Sequence, residues 1–214
     1  MQNEPRLIAI EGPIGAGKTT LARLLAEQYD ARLVLEVDEE NPFISRFYED
    51  RASHAFQTQI FFLMSRYNQY RSLEQHDLFN NVVITDYLFQ RDRIFAGINL
   101  DGNEFHLYEQ IYNLIKIKIP QPDLVVYLQA DTPVLYQRVQ KRGRDYESLI
   151  EYSYLEEVNR AFNNFFFYYA ETPLLVVNTN EIDIVEKKID LQELIKKIDQ
   201  HKIGREYYNP LGSG

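Results

Sequence analysis

Eight residues near the start of the chain, Gly12-Pro13-Ile14-Gly15-Ala16-Gly17-Lys18-Thr19, fit the spacing G-x-x-x-x-G-K-[ST] at every fixed position. The chemistry of that spacing is anion capture. Its glycines let successive backbone N–H groups turn inward around a phosphate, and a helix starting near Gly17 adds its positive N-terminal end. Lys18 then reaches the β- and γ-phosphates of ATP, the Thr19 hydroxyl coordinates Mg2+, and Thr20 completes the nucleotide-binding stretch. A second metal-facing oxygen should come from an acid at the end of a neighbouring strand. Val82-Val83-Ile84-Thr85 ends in Asp86 and offers it, although an acid there could equally cap the next helix.

Other groups could complete such a site. Arg138, Lys141, Arg142 and Arg144 crowd the end of one predicted helix, where they could fold over a triphosphate as a lid. Cations also complement a helix C-terminus without any ligand. Glu36 closes a predicted strand and is followed by Asp38, Glu39 and Glu40. By itself it reads either as a catalytic carboxylate or as part of a solvated acidic loop. Gln59 and Arg66 stand seven residues apart, two turns along a predicted helix, so they lie in line beside its apolar stripe. A carboxamide and a guanidinium placed so can read the edge of a base.

The elements that must position these groups alternate along the chain. Strands are expected at Leu7 to Ile10, Arg32 to Glu36, Val82 to Thr85, Leu124 to Leu128 and Leu174 to Val177. Helices are expected at Thr19 to Tyr29, Ser53 to Leu73, Phe105 to Ile117, Thr132 to Lys141, Glu147 to Tyr169 and Ile184 to Asp199. Phe56, Ile60, Leu63, Tyr67 and Tyr70 form the apolar stripe of the longest helix. Short apolar strands alternating with helices predict an α/β fold in three layers, with a central parallel five-stranded sheet covered on both faces.

Composition bounds the rest. The 214 residues suit a single domain over 1–203, with a lid at about 138–148 and a flexible tail at 204–214. A net charge of −9 argues against a nucleic-acid partner, which needs a basic face. The absence of cysteine excludes disulfides, thiolate zinc sites and cysteine nucleophiles. The polar start shows no signal-peptide pattern and no apolar run approaches the ~18 residues of a membrane helix, so a cytoplasmic location without membrane contact is expected.

The combination of motifs resembles the deoxynucleoside kinases, in the bacterial deoxyadenosine/deoxyguanosine kinase branch. The likeness rests on Gly12 to Thr19; Glu36 with Asn41-Pro42-Phe43; Phe56-Gln57-Thr58-Gln59 with Arg66; Asp86 with Asp92 and Ile94-Phe95-Ala96; and Arg138 through Lys141-Arg142-Gly143-Arg144 to Glu147. These run in family order to about residue 150, and the last third matches mainly in layout. The resemblance implies a P-loop kinase with an arginine-rich lid that moves the ATP γ-phosphate to the 5′-hydroxyl of a deoxynucleoside in nucleotide salvage. It implies Glu36 as general base, with Lys18, Arg138, Arg142 and Arg144 offsetting phosphoryl charge and Thr19 and Asp86 holding magnesium. Gln59, Arg66 and Asp92 would read the base. Tyr48 and Glu147 would hold the sugar 3′-hydroxyl. Phe62 and Phe89 would stack on the base or belong to the core. Asn180 to Ile184 matches in layout the contact to the ATP adenine. A homodimer formed through helices is implied, with Phe162 to Tyr169 supplying either that surface or core.

One position departs from the family pattern. Many members carry an arginine directly after the Asp86 position, and Tyr87 stands there in this chain. Either Arg91 or Arg93 takes its task, or Glu36 works without that partner. The tyrosine also occurs in the purine-preferring branch, which points to deoxyadenosine or deoxyguanosine. A nucleoside monophosphate kinase of the thymidylate kinase type would use the same donor loop but needs arginines rather than a carboxylate at the acceptor. A non-catalytic nucleotide-binding switch would need none of the acceptor-side set.

Overall fold

The computed structural model describes residues 6–36, 41–76, 82–116, 119–182 and 187–210. Its strands are β1 (Arg6–Glu11), β2 (Arg32–Val34), β3 (Val82–Thr85), β4 (Leu124–Gln129), β5 (Leu174–Asn178) and β6 (Arg205–Tyr208). Its helices are α1 (Lys18–Tyr29), α2 (Ile44–Glu49), α3 (Arg51–His76), α4 (Arg91–Asn99), α5 (Gly102–Lys116), α6 (Thr132–Arg142), α7 (Tyr152–Tyr168) and α8 (Lys188–Gln200). The strands form one sheet in the order β2-β3-β1-β4-β5-β6, and every pairing is parallel. Ile8, Ala9 and Ile10 on β1 and Leu124 to Leu128 on β4 are all buried, as strands covered on both faces must be. The chain runs from β1 to β2 and β3 on one side of it and then crosses to β4 on the other, so a crevice opens beyond the C-terminal end of β1.

The parallel sheet was expected, but it has six strands rather than five. β6 forms from part of the expected flexible tail and pairs Leu174 to Val177 with Arg205 to Tyr208. The sequence Arg205-Glu206-Tyr207-Tyr208 has no apolar run because this edge strand is half exposed. Lys197 and His201 reach its Glu206 at 2.9 and 3.2 Å, and Arg205 donates to the Tyr169 carbonyl at 2.6 Å.

Two short helices, α2 and α4, were not expected. Each is too brief to show a helical period, and both are held by neighbours. Asn41 accepts the Phe43 N–H at 3.0 Å and donates to the Thr58 carbonyl at 3.3 Å, which starts α2 and pins it to α3. The expected helix over Glu147 to Tyr169 is interrupted. A 3-10 turn at Asp145–Leu149 and extended backbone at Ile150 and Glu151 precede α7. The interruption buries Glu147 and Ile150 together. The expected starts and ends at Ile184 and Ile117 lie outside the described residues.

α3 is buried on two faces. Its stripe packs on an aromatic cluster of Tyr70, Tyr87, Phe89, Tyr108 and Tyr112, while Thr58, Gln59, Phe62 and Arg66 face the crevice. On α7, Phe162 and Phe166 are core, as is Tyr169 just beyond its end, whereas Phe167 and Tyr168 are exposed.

Candidate active site

The phosphate loop joins β1 to α1. Gly15 has φ +85°, and a Cβ there would stand 2.7 Å from the Leu135 carbonyl oxygen and 3.0 Å from Val139 Cγ2. Glycine is required because α6 crosses directly behind the loop. Lys18 Nζ donates to the Pro13 carbonyl at 3.0 Å, and Thr19 Oγ1 donates to Asp86 Oδ2 at 2.5 Å. The other Asp86 oxygen accepts the Glu36 N–H at 2.7 Å. Asp86 therefore links the donor loop to the end of β2. It does not cap a helix, since α4 begins only at Arg91 with Gln90 before it.

Glu11 shares this task and was not singled out from the sequence. It is fully buried, and its carboxylate accepts the N–H of Gly12 at 2.6 Å and of Leu88 at 3.0 Å. The signal was available: like Asp86, it is an acid closing an apolar strand.

On the acceptor side, one cavity brings together groups from across the fold. Ile14, Gly15, Lys18 and Thr19 form its floor, and Glu36, Asp86 and Asp92 line one flank. Gln59, Phe62 and Arg66 come from α3, Tyr48 from α2, and Arg142, Arg144 and Glu147 from the lid. Four buried charges interlock here. Arg66 pairs through one arm with Glu36 and through the other with Asp92, and Arg91 NH1 lies 2.8 Å from Glu36 Oε2. Two guanidinium groups thus balance two carboxylates, which is what burial of ions demands. Burial pushes the Asp92 carboxyl above its ordinary range, and the Arg66 guanidinium draws it back down. Gln59 Oε1, Asp92 Oδ2 and Arg66 Nε, on residues that line the cavity, are buried without a hydrogen-bond partner among the described residues. The Arg66 guanidinium carbon stands 5.1 Å from the Phe62 ring centre.

The lid is built by one glycine. α6 starts at Thr132 with Pro133 in its first turn and stops at Gly143, whose φ of +65° only glycine adopts easily. The chain then turns back over the cavity. Arg142 Nε donates to Glu147 Oε2 at 2.9 Å, Arg144 donates to the Tyr146 hydroxyl at 2.8 Å, and Tyr146 stacks on Tyr48 at 6.0 Å. Tyr146 and Tyr154, both lining the cavity, were not anticipated, because tyrosine is common throughout this chain.

Four expected residues fall elsewhere. Arg138 donates to Thr179 Oγ1 at 3.1 Å and to its carbonyl at 2.6 Å. It lines a second cavity with Ala16, Gly17, Thr20, Asn180, Glu181 and Ile182, on the far side of the phosphate loop. Arg142 and Gly15 border both cavities. Tyr87 points into the aromatic cluster, fully buried, and donates to Gln69 Oε1 at 2.8 Å. Phe89 stacks on Tyr112 in the same cluster, so of its two readings the core one holds. Arg93 turns outward to Glu109 at 2.7 Å. Asp38, Glu39 and Glu40 lie outside the described residues, as do residues 183–186.

The arrangement joins a triphosphate cradle to a buried carboxylate and to polar groups that can read a base, all reached from one crevice. Comparison with known proteins shows the family. The deoxynucleoside kinase family model matches residues 8–203. A deoxyguanosine kinase of Bacillus subtilis is 40% identical over 157 residues, covering 73% of this chain and 76% of that protein. The deoxyadenosine/deoxycytidine kinase of the same organism is 24% identical over 199 residues, covering 90% and 91%. The structure of deoxyadenosine kinase from M. mycoides with bound dATP superposes with a TM-score of 0.78 at 28% identity, covering 91% of this chain and all of that one. The chain belongs to the deoxynucleoside kinase family.

Proposed function

We propose that this ATP-dependent kinase acts on purine deoxynucleosides, deoxyguanosine or deoxyadenosine, and forms the 5′-monophosphate and ADP. The observation that carries the reading is the placement of Glu36. Its carboxylate lies between two arginines in the same cavity as Lys18 and Thr19. A 5′-hydroxyl seated there has a proton acceptor on one side and the γ-phosphate cradle on the other. Glu36 takes the proton, and the reaction otherwise depends on positioning and charge neutralisation. Lys18, Arg142 and Arg144 face the transferring group, while Arg138 belongs to the side that takes the donor's nucleoside.

Magnesium fits the residues present. Thr19 Oγ1 and Asp86 Oδ2 adjoin each other at the loop, and this ion commonly uses one or two protein oxygens beside phosphate oxygens and water. When bound, it would neutralise charge on the β- and γ-phosphates.

Purine preference is supported by the free acceptors Gln59 Oε1 and Asp92 Oδ2 beside the donor Arg66 Nε, and by the deoxyguanosine kinase relative. Coupled ADP-release assays with deoxyguanosine, deoxyadenosine, deoxycytidine and thymidine test it. The two purines should give the highest kcat/KM. No turnover with any of the four would sink the reading, and preference for a pyrimidine would remove its purine part. ADP release dependent on a nucleoside monophosphate instead would favour the monophosphate kinase.

A further inference from the structure

The lid carries an aromatic side chain that neither the phosphate motif nor the acceptor set accounts for. Tyr146 lies in the 3-10 turn Asp145–Leu149, two residues after Arg144, and borders the cavity. Its ring stacks on Tyr48 with 6.0 Å between centres and 11° between planes. Tyr48 is held in turn by edge contacts to Phe47 at 5.1 Å and to Tyr154 at 6.3 Å, and both of those rings are buried. The Tyr146 hydroxyl accepts an N–H of Arg144 at 2.8 Å. A chain of rings thus runs from the core at α2, through Tyr48 and Tyr146, to a guanidinium that lines the cavity.

The two lid arginines of this cavity are held in different ways. Arg142 meets Glu147 with both arms of its fork, Nε on Oε2 at 2.9 Å and NH2 on Oε1. Arg144 NH1 stands 3.8 Å from the same carboxylate but 2.8 Å from the phenol. An ion pair at that longer distance attracts without fixing direction, whereas the shorter hydrogen bond aims the group. Arg144 is 31% exposed, and a long arm in water samples several rotamers. That freedom has to be given up before the arm can meet developing charge. A carboxylate that aims an arginine also competes with phosphate for its charge. A hydroxyl aims it without bringing a negative charge.

We propose that Tyr146 is a positioning residue: stacked on Tyr48, it aims the Arg144 guanidinium into the cavity, toward the transferring phosphoryl group. This rests on the reading of Arg144 as a cation that faces that group. The same stack ties the lid to α2, so Arg144 is aimed when the lid lies against that helix.

Steady-state kinetics of the full chain with ATP and the better purine deoxynucleoside tests this, using Tyr146→Phe, Tyr146→Ala, Arg144→Gln and the Tyr146→Phe/Arg144→Gln double variant. Tyr146→Phe keeps the ring and loses the hydroxyl. It should lower kcat about tenfold and leave the nucleoside KM within about twofold. In the Arg144→Gln background the same change should cost less than about twofold, because the hydroxyl then has no guanidinium to aim. Tyr146→Ala also loses the stack, so kcat should fall about 30-fold and the nucleoside KM rise about threefold. Wild-type kcat in Tyr146→Phe overturns the proposal. So does an equal loss in both backgrounds, which would mark a merely structural residue. A kcat in Tyr146→Ala no lower than in Tyr146→Phe overturns the part given to the stack. Should Tyr146→Ala fail to fold, Tyr146→Phe with its double variant carries the test. Near-normal kcat in Arg144→Gln would instead remove the cation on which the proposal rests, a different failure.

Discussion

At the scale of the residue, four buried charges decide what this site can do. Glu36, Arg66, Asp92 and Arg91 hold one another at ion-pair distance, each side chain at most 7% exposed. Such a set is stable only while complete, because removing one member strands its partner. Asp92→Ala should therefore lower the free energy of unfolding by about 3 kcal/mol, read from urea denaturation. A change under about 1 kcal/mol would mean that Arg66 is satisfied without it. Glu36→Gln keeps the shape of the side chain and removes its basicity. It should lower kcat by about 10²- to 10⁴-fold while ATP affinity persists, measured by initial rates and calorimetry. A kcat near wild type would exclude Glu36 as the base.

At the scale of the element, the site depends on where helices stop and cross. α6 passes so close behind the phosphate loop that Gly15 has no room for a methyl group, and its φ of +85° already disfavours one. Gly15→Ala should cost about 1–3 kcal/mol of stability, seen as a lower thermal midpoint, and should weaken ATP binding. Unchanged ATP affinity would show that the loop tolerates displacement from α6. Gly143 acts differently: nothing crowds it, and only its left-handed backbone is needed to end α6 and fold the lid back. α3 carries two faces on about 39 Å of helix, one packed on the aromatic cluster and one lining the cavity.

At the scale of the molecule, the sheet separates chemistry from stability. β1 and β3 present the phosphate loop and Asp86, while β6 closes the opposite edge, beyond β4 and β5. Removing residues 204–214 would expose the edge of β5 and delete the Lys197–Glu206 and His201–Glu206 pairs. The truncated chain should lose about 2 kcal/mol of stability and aggregate more readily, while its kcat at low temperature stays within about twofold. Light scattering with thermal unfolding would measure the first, and initial rates the second. A large fall in kcat would mean that the far edge supports the site.

The residues that speak for themselves in the sequence are those whose chemistry is local. Gly12 to Thr19 form their cradle within one loop and the turn that follows, so spacing alone identifies them. The alternating apolar runs made the parallel sheet legible for the same reason, since each strand's burial is written in its own side chains. Gln59 and Arg66 were legible as a pair because one helix sets their separation. What required the tertiary structure is whatever depends on distant chain segments meeting. β6 has no apolar period of its own and exists because β5 offers an edge. Tyr87 and Arg91 are four residues apart, and no local rule says which faces Glu36. The turn after β3 decides it, sending the tyrosine into the aromatic cluster and the arginine to the carboxylate.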